Sequence, residues 1–297
     1  MSRAAHLHTR EWGRGATVIA LHPLALESSA FEGIAAALDE RGMRTLAVDL
    51  PGFGQTPAPP GPLTPAVLAE PVIALARGLD APARILGISL GGRVALEAVL
   101  LAPEAFRSAI VISPYLPWKR MRWMLGSARH LDPRLAERFP LERAWPLLKW
   151  LADRVERLPY VRDDPITRAG VRMLYYASCP ATRASILSAA RELALEPAFG
   201  PRGFWTRLAA LRVPMAFVWG EQDRLVSYRF ARHVASALPG ARHAVLRCCG
   251  HAPYGVHGRC LADAVGGVLD SLEAGPAVFE GSRGRAAFVH APCVVPR

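Results

Sequence analysis

The sequence predicts an α/β fold: a mostly parallel sheet covered by helices on both faces, with an inserted helical cap. Short apolar runs alternate with helical patterns in the first 113 residues and again from residue 213. This alternation is typical of a parallel sheet that is buried on both faces. Between the two parts the sequence becomes helical and arginine-rich. We therefore expect a core of residues 1–113 and 213–274, a cap of residues 114–212 and a tail of residues 275–297.

The predicted elements follow one another in a regular order. Apolar runs of strand length predict six buried strands: Ala16–Leu21, Met43–Val48, Ala83–Ile88, Arg107–Ile112, Val213–Trp219 and, as the last strand, Arg242–Leu246. Amphipathic runs predict helices over residues 28–41, 64–78 and 93–101, one that ends at residue 238, and one that ends near residue 272. The Gly-, Pro- and Arg-rich tail is expected to be an appendage or partly disordered.

The composition is that of a globular protein and argues against several classes of function. Five scattered cysteines and a start without a signal-peptide pattern predict a cytoplasmic protein. The sequence contains no apolar run of about 18 residues, so no membrane span is predicted. The net charge of +11 could suit nucleic acid, but no nucleic-acid motif is present. Metal-ligand spacings and nucleotide-binding fingerprints are also absent, so we expect no metal and no cofactor.

One pentapeptide, Gly87-Ile88-Ser89-Leu90-Gly91, joins an apolar run directly to a helical run. A serine on so sharp a turn has a strained backbone, and bulky residues two positions away on either side would collide. Its hydroxyl would be held clear of the sheet, and the amide of Leu90 would point to where an oxyanion develops. The alternative is an ordinary glycine-rich turn between a strand and a helix.

Polar residues follow five of the predicted strands, at the edge where open α/β sheets bind ligands. They are His22, Asp49, Ser89, Asp223 and His251. Three of these side chains suit acyl transfer, because His251 can take the proton of Ser89 and a buried carboxylate such as Asp223 can orient the imidazole. His22 is expected to brace its loop, and Asp49 its turn.

Each assignment has an alternative. Asp223 could instead cap a helix that starts near Ser227, and Glu221 is the substitute acid, although it is expected to be solvated. Histidines such as His8 and His243 lack a partner pattern and are predicted to be surface or packing residues.

The chain resembles the α/β-hydrolase fold superfamily, in its cap-bearing branch of esterases and related serine hydrolases. The resemblance covers about residues 16–272 and rests on five stretches in order: Leu21–Pro23, Asp49–Gly54, Gly87–Gly92, Trp219–Asp223 and Gly250–Pro253. It implies that Ser89 is the nucleophile, Asp223 the orienting acid and His251 the base. The amides of Leu24 and Leu90 would form the oxyanion hole, even though Pro23 stands where the family usually has glycine.

The predicted function is a serine hydrolase that cleaves an ester, or a related acyl bond, of a hydrophobic small molecule through an acyl-enzyme. An acyltransferase and a carbon–carbon bond hydrolase would use the same triad. Ala252 argues mildly against the latter, because family members that cleave ring-fission products typically carry tryptophan there. A non-catalytic ligand-binding protein on the same scaffold is the remaining alternative. No nucleic-acid or integral membrane partner is expected.

Overall fold

A computed structural model describes most of the predicted core and part of the predicted cap. The described residues are 7–117, 126, 128–130, 132–134, 146–147, 150–151, 154, 179–247, 249–251, 258–273 and 288–291. Most of residues 118–178 therefore lie outside the described residues, and the predicted boundaries of the cap stay predictions.

The core is an eight-stranded sheet in the order β1-β3-β2-β4-β5-β6-β7-β8. Its strands are β1 (Thr9–Trp12), β2 (Ala16–Leu21), β3 (Met43–Val48), β4 (Ala83–Ile88), β5 (Phe106–Ile112), β6 (Met215–Gly220), β7 (Arg242–Leu246) and β8 (Phe288–Ala291). Only β1 runs antiparallel to its neighbour, and all the other pairs are parallel. The carboxyl ends of the parallel strands therefore share one edge, where the predicted site residues follow them.

Helices cover both faces of this sheet, which confirms the predicted fold class. They are α1 (Glu32–Asp39), α2 (Pro65–Arg77), α3 (Leu90–Leu101), α4 (Pro180–Leu195), α5 (Phe204–Leu208), α6 (Ala231–Ala237) and α7 (Gly258–Glu273). Successive residues of β2 point to opposite faces: Ile19 packs with α2 and α3, whereas Val18 packs with α1 and α7. Two apolar clusters result, one on each face of the sheet.

Two strands are absent from the sequence predictions, and several element boundaries also differ, among them the start of β6 at Met215 rather than at Val213. The polar, partly exposed strand β1 was not predicted, because a short edge strand gives no long apolar run. The prediction that β7 is the last strand is wrong, since β8 lies within the predicted tail and pairs in parallel with β7. Helix α3 begins at Leu90 rather than at Arg93, because Gly91 and Gly92 are helical residues that permit close packing rather than turn residues.

A histidine is buried on β7, the strand next to one edge of the sheet. His243 on β7 stacks against Phe217 with ring centroids 5.5 Å apart and accepts a hydrogen bond from Nε1 of Trp219 at 3.2 Å. It is only 1% exposed, and this burial lowers its pKa to about 4. The predicted packing role of His243 is thus confirmed, and the ring is neutral in the folded protein at neutral pH.

The neutral state of His243 predicts a loss of stability in mild acid. The unfolded chain binds a proton there below a pH of about 6.5, whereas the folded protein does so only near 4, so stability falls as the pH drops through this window. Between about pH 7.5 and pH 5 we expect this residue to cost about 2 kcal/mol of unfolding free energy. Urea unfolding at both pH values measures the loss.

The control is His243→Gln, which does not titrate. Burial also lowers the pKa of His22, so the variant should keep part of the pH dependence but lose less stability than the wild type. An equal loss in the two proteins would contradict the prediction.

Candidate active site

Ser89 lies on the tight turn between β4 and α3 with φ of +54° and ψ of −110°. An L-residue rarely adopts this conformation, which costs about 1–3 kcal/mol and persists only where the surroundings hold it. The Ser89 amide donates to the carbonyl of Ile112 at 3.0 Å. The Ser89 carbonyl accepts from the amides of Arg93 and Tyr115 at 3.0 and 3.1 Å.

Two glycines allow the backbone to approach this turn closely. A Cβ atom on Gly87 would collide with the carbonyl of Gly91, and one on Gly91 would collide with the carbonyls of Leu21 and His22. The second contact shows that the first turn of α3 packs directly on the end of β2. The steric requirement that the pentapeptide predicts is therefore met.

The structure brings the three predicted catalytic side chains into one hydrogen-bonded chain. His251 Nε2 lies 3.0 Å from Ser89 Oγ, and His251 Nδ1 lies 2.8 Å from Asp223 Oδ2. The carboxylate accepts from Nδ1–H, which leaves Nε2 free to accept the serine hydroxyl proton. The three groups come from different parts of the chain and meet at the carboxyl ends of β4, β6 and β7.

Asp223 is held by its own turn as well as by the histidine. Its second oxygen, Oδ1, accepts from the amides of Leu225 and Val226 at 2.8 and 2.7 Å, and its side chain is fully buried. The helical turn that follows is capped instead by Ser227, whose hydroxyl accepts from the amide of Arg229. The alternative of Asp223 as a helix cap is therefore not what the structure shows, and Glu221, the substitute acid, is exposed.

The two predicted oxyanion donors lie on neighbouring segments. Leu90 is the first residue of α3, so its amide has no acceptor within the helix. Leu24 follows Pro23 in a compact loop in which the Pro23 carbonyl accepts from His22 Nδ1 at 2.8 Å and from the amide of Leu26 at 3.3 Å. Proline at position 23 therefore supplies an acceptor that shapes this loop.

His22 and Asp49 brace the loops around the site, as predicted. His22 is buried, and its Nε2 accepts from the amide of Leu50 at 3.0 Å. Asp49 accepts from the amides of Ser28 and Gln55 at 2.7 and 2.9 Å. Burial would raise the pKa of Asp49, but these hydrogen bonds outweigh it and hold the pKa below its usual value. The carboxylate is therefore an ionised structural acceptor.

One further histidine has a partner that the sequence does not reveal. The sequence shows no partner pattern for His8, and its Nδ1 lies 2.9 Å from Asp49 Oδ2 in the fold. No local pattern reveals this contact, since it joins positions 41 residues apart.

Three residues other than glycine have a positive φ in the described part of the chain: Ala25, Ser89 and Ser113. Each lies just beyond a parallel strand at the carboxyl edge of the sheet, after β2, β4 and β5 respectively. Strained residues of this kind cluster at functional sites. Only the strain at Ser89 could be expected from the sequence, through its flanking glycines.

Among the described residues, no cluster of three or more His, Cys, Asp or Glu side chains could hold a metal ion. None of the helices within the described ranges is long and apolar enough to cross a membrane.

The strain at Ser89 predicts that glycine at this position raises stability. Glycine adopts a positive φ without the cost that serine bears, so we expect Ser89→Gly to be about 1–2 kcal/mol more stable than Ser89→Ala. Urea unfolding of the two variants measures the difference. The same pair of substitutions at Ser271 in α7 should show the opposite order, because glycine weakens a helix. Equal stability of the two Ser89 variants would contradict the prediction.

Comparison with known proteins agrees with this geometry. A family described as alpha/beta hydrolase fold matches residues 16–257. The chain is 30% identical over 252 residues to a pimeloyl-[acyl-carrier protein] methyl ester esterase from Aeromonas hydrophila, covering 83% of this chain and 92% of that protein. The protein of the same name from Stenotrophomonas maltophilia is 28% identical over 281 residues, covering 93% and 100%.

A solved structure shares the fold. The thermophilic esterase from Thermogutta terrifontis has a TM-score of 0.66 and 20% sequence identity, covering 90% of this chain and 93% of that one. With the family match over most of the chain, the conclusion is that this protein belongs to the α/β-hydrolase fold family and is an ester-cleaving enzyme of that family.

Proposed function

We propose that the protein is a serine hydrolase that cleaves a carboxylic ester of a hydrophobic small molecule through an acyl-enzyme. The observation that supports this most directly is the unbroken chain of hydrogen bonds from Ser89 Oγ through His251 to Asp223, at 3.0 and 2.8 Å. A serine hydroxyl is a weak nucleophile until a base accepts its proton, and this arrangement supplies both the base and the group that orients it.

In the first half of the reaction, Ser89 Oγ attacks the ester carbonyl while its proton moves to His251 Nε2. The imidazolium that forms is stabilised by the ionised carboxylate of Asp223, whose other oxygen is occupied by two backbone amides. His251 then gives the proton to the alcohol oxygen as the carbon–oxygen bond breaks. The acyl group remains bound to Ser89 as an ester.

In the second half, His251 accepts a proton from water, which attacks the acyl carbonyl. Collapse of the tetrahedral intermediate releases the carboxylic acid and returns the proton to Ser89. His251 can serve both halves because its side chain is 22% exposed, so water can reach the imidazole and replace the alcohol there. An added alcohol in place of water would give a new ester, which is the acyltransferase alternative.

The negative charge on the carbonyl oxygen in both halves needs preorganised donors. We assign these to the amides of Leu90 and Leu24. Leu90 lies at the positive end of α3, and the loop that carries Leu24 begins where Gly91 packs on Leu21 and His22. Removal of one such donor typically slows an acyl-transfer enzyme by about a hundredfold to a thousandfold.

The relatives point to a methyl ester as the first substrate to test. Two of them, covered over 92% and 100% of their length, are named pimeloyl-[acyl-carrier protein] methyl ester esterase. We propose that this chain acts on a methyl ester at the end of an acyl chain, and that a carrier-bound acyl chain is one form of this substrate.

The triad predicts how two substitutions affect activity. Ser89→Ala should remove both esterase activity and labelling by a fluorophosphonate. Asp223→Asn should lower kcat by about four orders of magnitude because it leaves the imidazole in the wrong tautomer. Hydrolysis of p-nitrophenyl esters and gel fluorescence of the labelled protein measure the two effects, and circular dichroism confirms that the variants fold.

The matched control is Asp39→Asn, since Asp39 lies at the end of α1 and should leave the rate unchanged. A folded wild type that neither hydrolyses esters nor takes the label would favour a non-catalytic binding protein.

The substrate proposal has its own test. We expect the wild type to release methanol from the monomethyl ester of pimelic acid, both as a small thioester and bound to an acyl-carrier protein, and Ser89→Ala to release none. Gas chromatography measures the methanol. Hydrolysis of p-nitrophenyl esters without release of methanol from either methyl ester would refute the methyl ester while leaving the serine hydrolase in place. Formation of a new ester when ethanol is added would indicate acyl transfer.

A further inference from the structure

We propose that Arg93 and Tyr115 are positioning residues that tie the peptide of the nucleophile to the C-terminal end of α4. The kinetic part of this inference rests on the proposed function, whereas its structural part does not. The Ser89 carbonyl accepts hydrogen bonds from two backbone amides of different origin, that of Arg93 within α3 and that of Tyr115 after β5.

The side chains of the same two residues reach a single turn of α4. The hydroxyl of Tyr115 donates to the carbonyl of Leu193 at 2.8 Å. The guanidinium of Arg93 donates through Nε to Glu196 at 3.0 Å, and its Nη2 pairs with the other oxygen of the same carboxylate. Leu193 is in the last turn of α4 and Glu196 is its C-cap. Two separate links therefore join the Ser89 peptide to that turn.

The Arg93 link is buried and balanced in charge. Arg93 is 1% exposed, lies 4.7 Å from the centre of the Phe204 ring, and donates to Glu97 at 2.7 Å. Glu97 also pairs with Arg207 on α5, so that two positive and two negative side chains close the cluster. Removing one partner from a buried ion pair leaves a charge without compensation, which is strongly unfavourable. Arg93 therefore holds Glu196, and with it the end of α4, against the helix of the nucleophile.

The middle of α4 contacts the Asp49–Gly54 turn and the loop that follows it. The hydroxyl of Ser188 accepts from the amide of Leu63 at 3.0 Å, and Gly52 lies so close to Ser185 that a Cβ atom would collide with its side chain. Helix α4 thus contacts the core near its middle as well as at its C-terminal end. Because the strained φ of Ser89 persists only where its surroundings fix it, the position of α4 sets the orientation of the Ser89 peptide and so its reactivity.

This arrangement predicts redundancy between the two links. Tyr115→Phe removes only the hydroxyl bond, and Glu196→Gln removes only the charge that pairs with Arg93. We expect each single variant to slow phosphonylation of Ser89 by a small fluorophosphonate by about threefold. The double variant should slow it by more than the product of the two, by about thirtyfold or more. Amide hydrogen exchange at Arg93 and Tyr115 should be faster in the double variant, because these amides donate to the Ser89 carbonyl.

The matched control is Glu104→Gln, which breaks an exposed ion pair with Arg77 and should change neither measurement. A residue with only a structural role would lower the melting temperature without changing either the labelling rate below melting or the exchange at these two amides. Labelling of the double variant within about twofold of the wild type would therefore overturn the inference.

If the wild type itself is not labelled, the proposed function fails and the exchange measurement alone decides this inference. If the double variant does not fold, the labelling rate of the isosteric Tyr115→Phe variant decides it, and a rate equal to that of the wild type would overturn it.

Discussion

The backbone of Ser89 has a positive φ that serine rarely adopts, and the site depends on the contacts that hold the backbone in this conformation. Its amide and its carbonyl are both bonded to backbone groups of β5, α3 and the segment after β5. Glycines at positions 87 and 91 let the neighbouring backbones come close enough to maintain this turn. The strained backbone of Ser89 is therefore held by both the sheet and α3. Because the backbone is fixed in this way, the Ser89 hydroxyl keeps its position next to His251.

The buried polar groups around Ser89 divide into those that only brace the loops and those that the proposed mechanism uses. Asp49 and His22 are buried and bonded to backbone amides, so they fix loops and keep constant protonation states near neutral pH. Asp223 uses one oxygen for bracing and the other for His251. This division lets the imidazole move a proton while the walls of the site stay fixed.

The fold class and the meeting of Ser89, Asp223 and His251 could be predicted from the sequence because their signals are local. A buried strand followed by a glycine-flanked serine, or by an acid or a histidine, can be identified within a few positions. The two edge strands were not predictable in this way, because β1 is partly exposed and β8 lies in a tail of Gly and Pro. Their pairing comes from the exposed edges of the sheet rather than from their own composition.

Arg93 shows a second reason why part of the site could not be predicted from the sequence: one of its contacts joins residues far apart in the chain. An arginine four residues before Glu97 in a helix looks like an ordinary surface pair, and only the fold brings Glu196, 103 positions away, to the same guanidinium. Because this contact and the Tyr115 hydroxyl both end on the last turn of α4, substitutions in that turn can alter the nucleophile without touching a substrate. A change of activity caused by a substitution near Leu193 therefore need not mean that substrate binding has changed. The labelling rate of Ser89 distinguishes an effect on substrate binding from an effect on the Ser89 peptide.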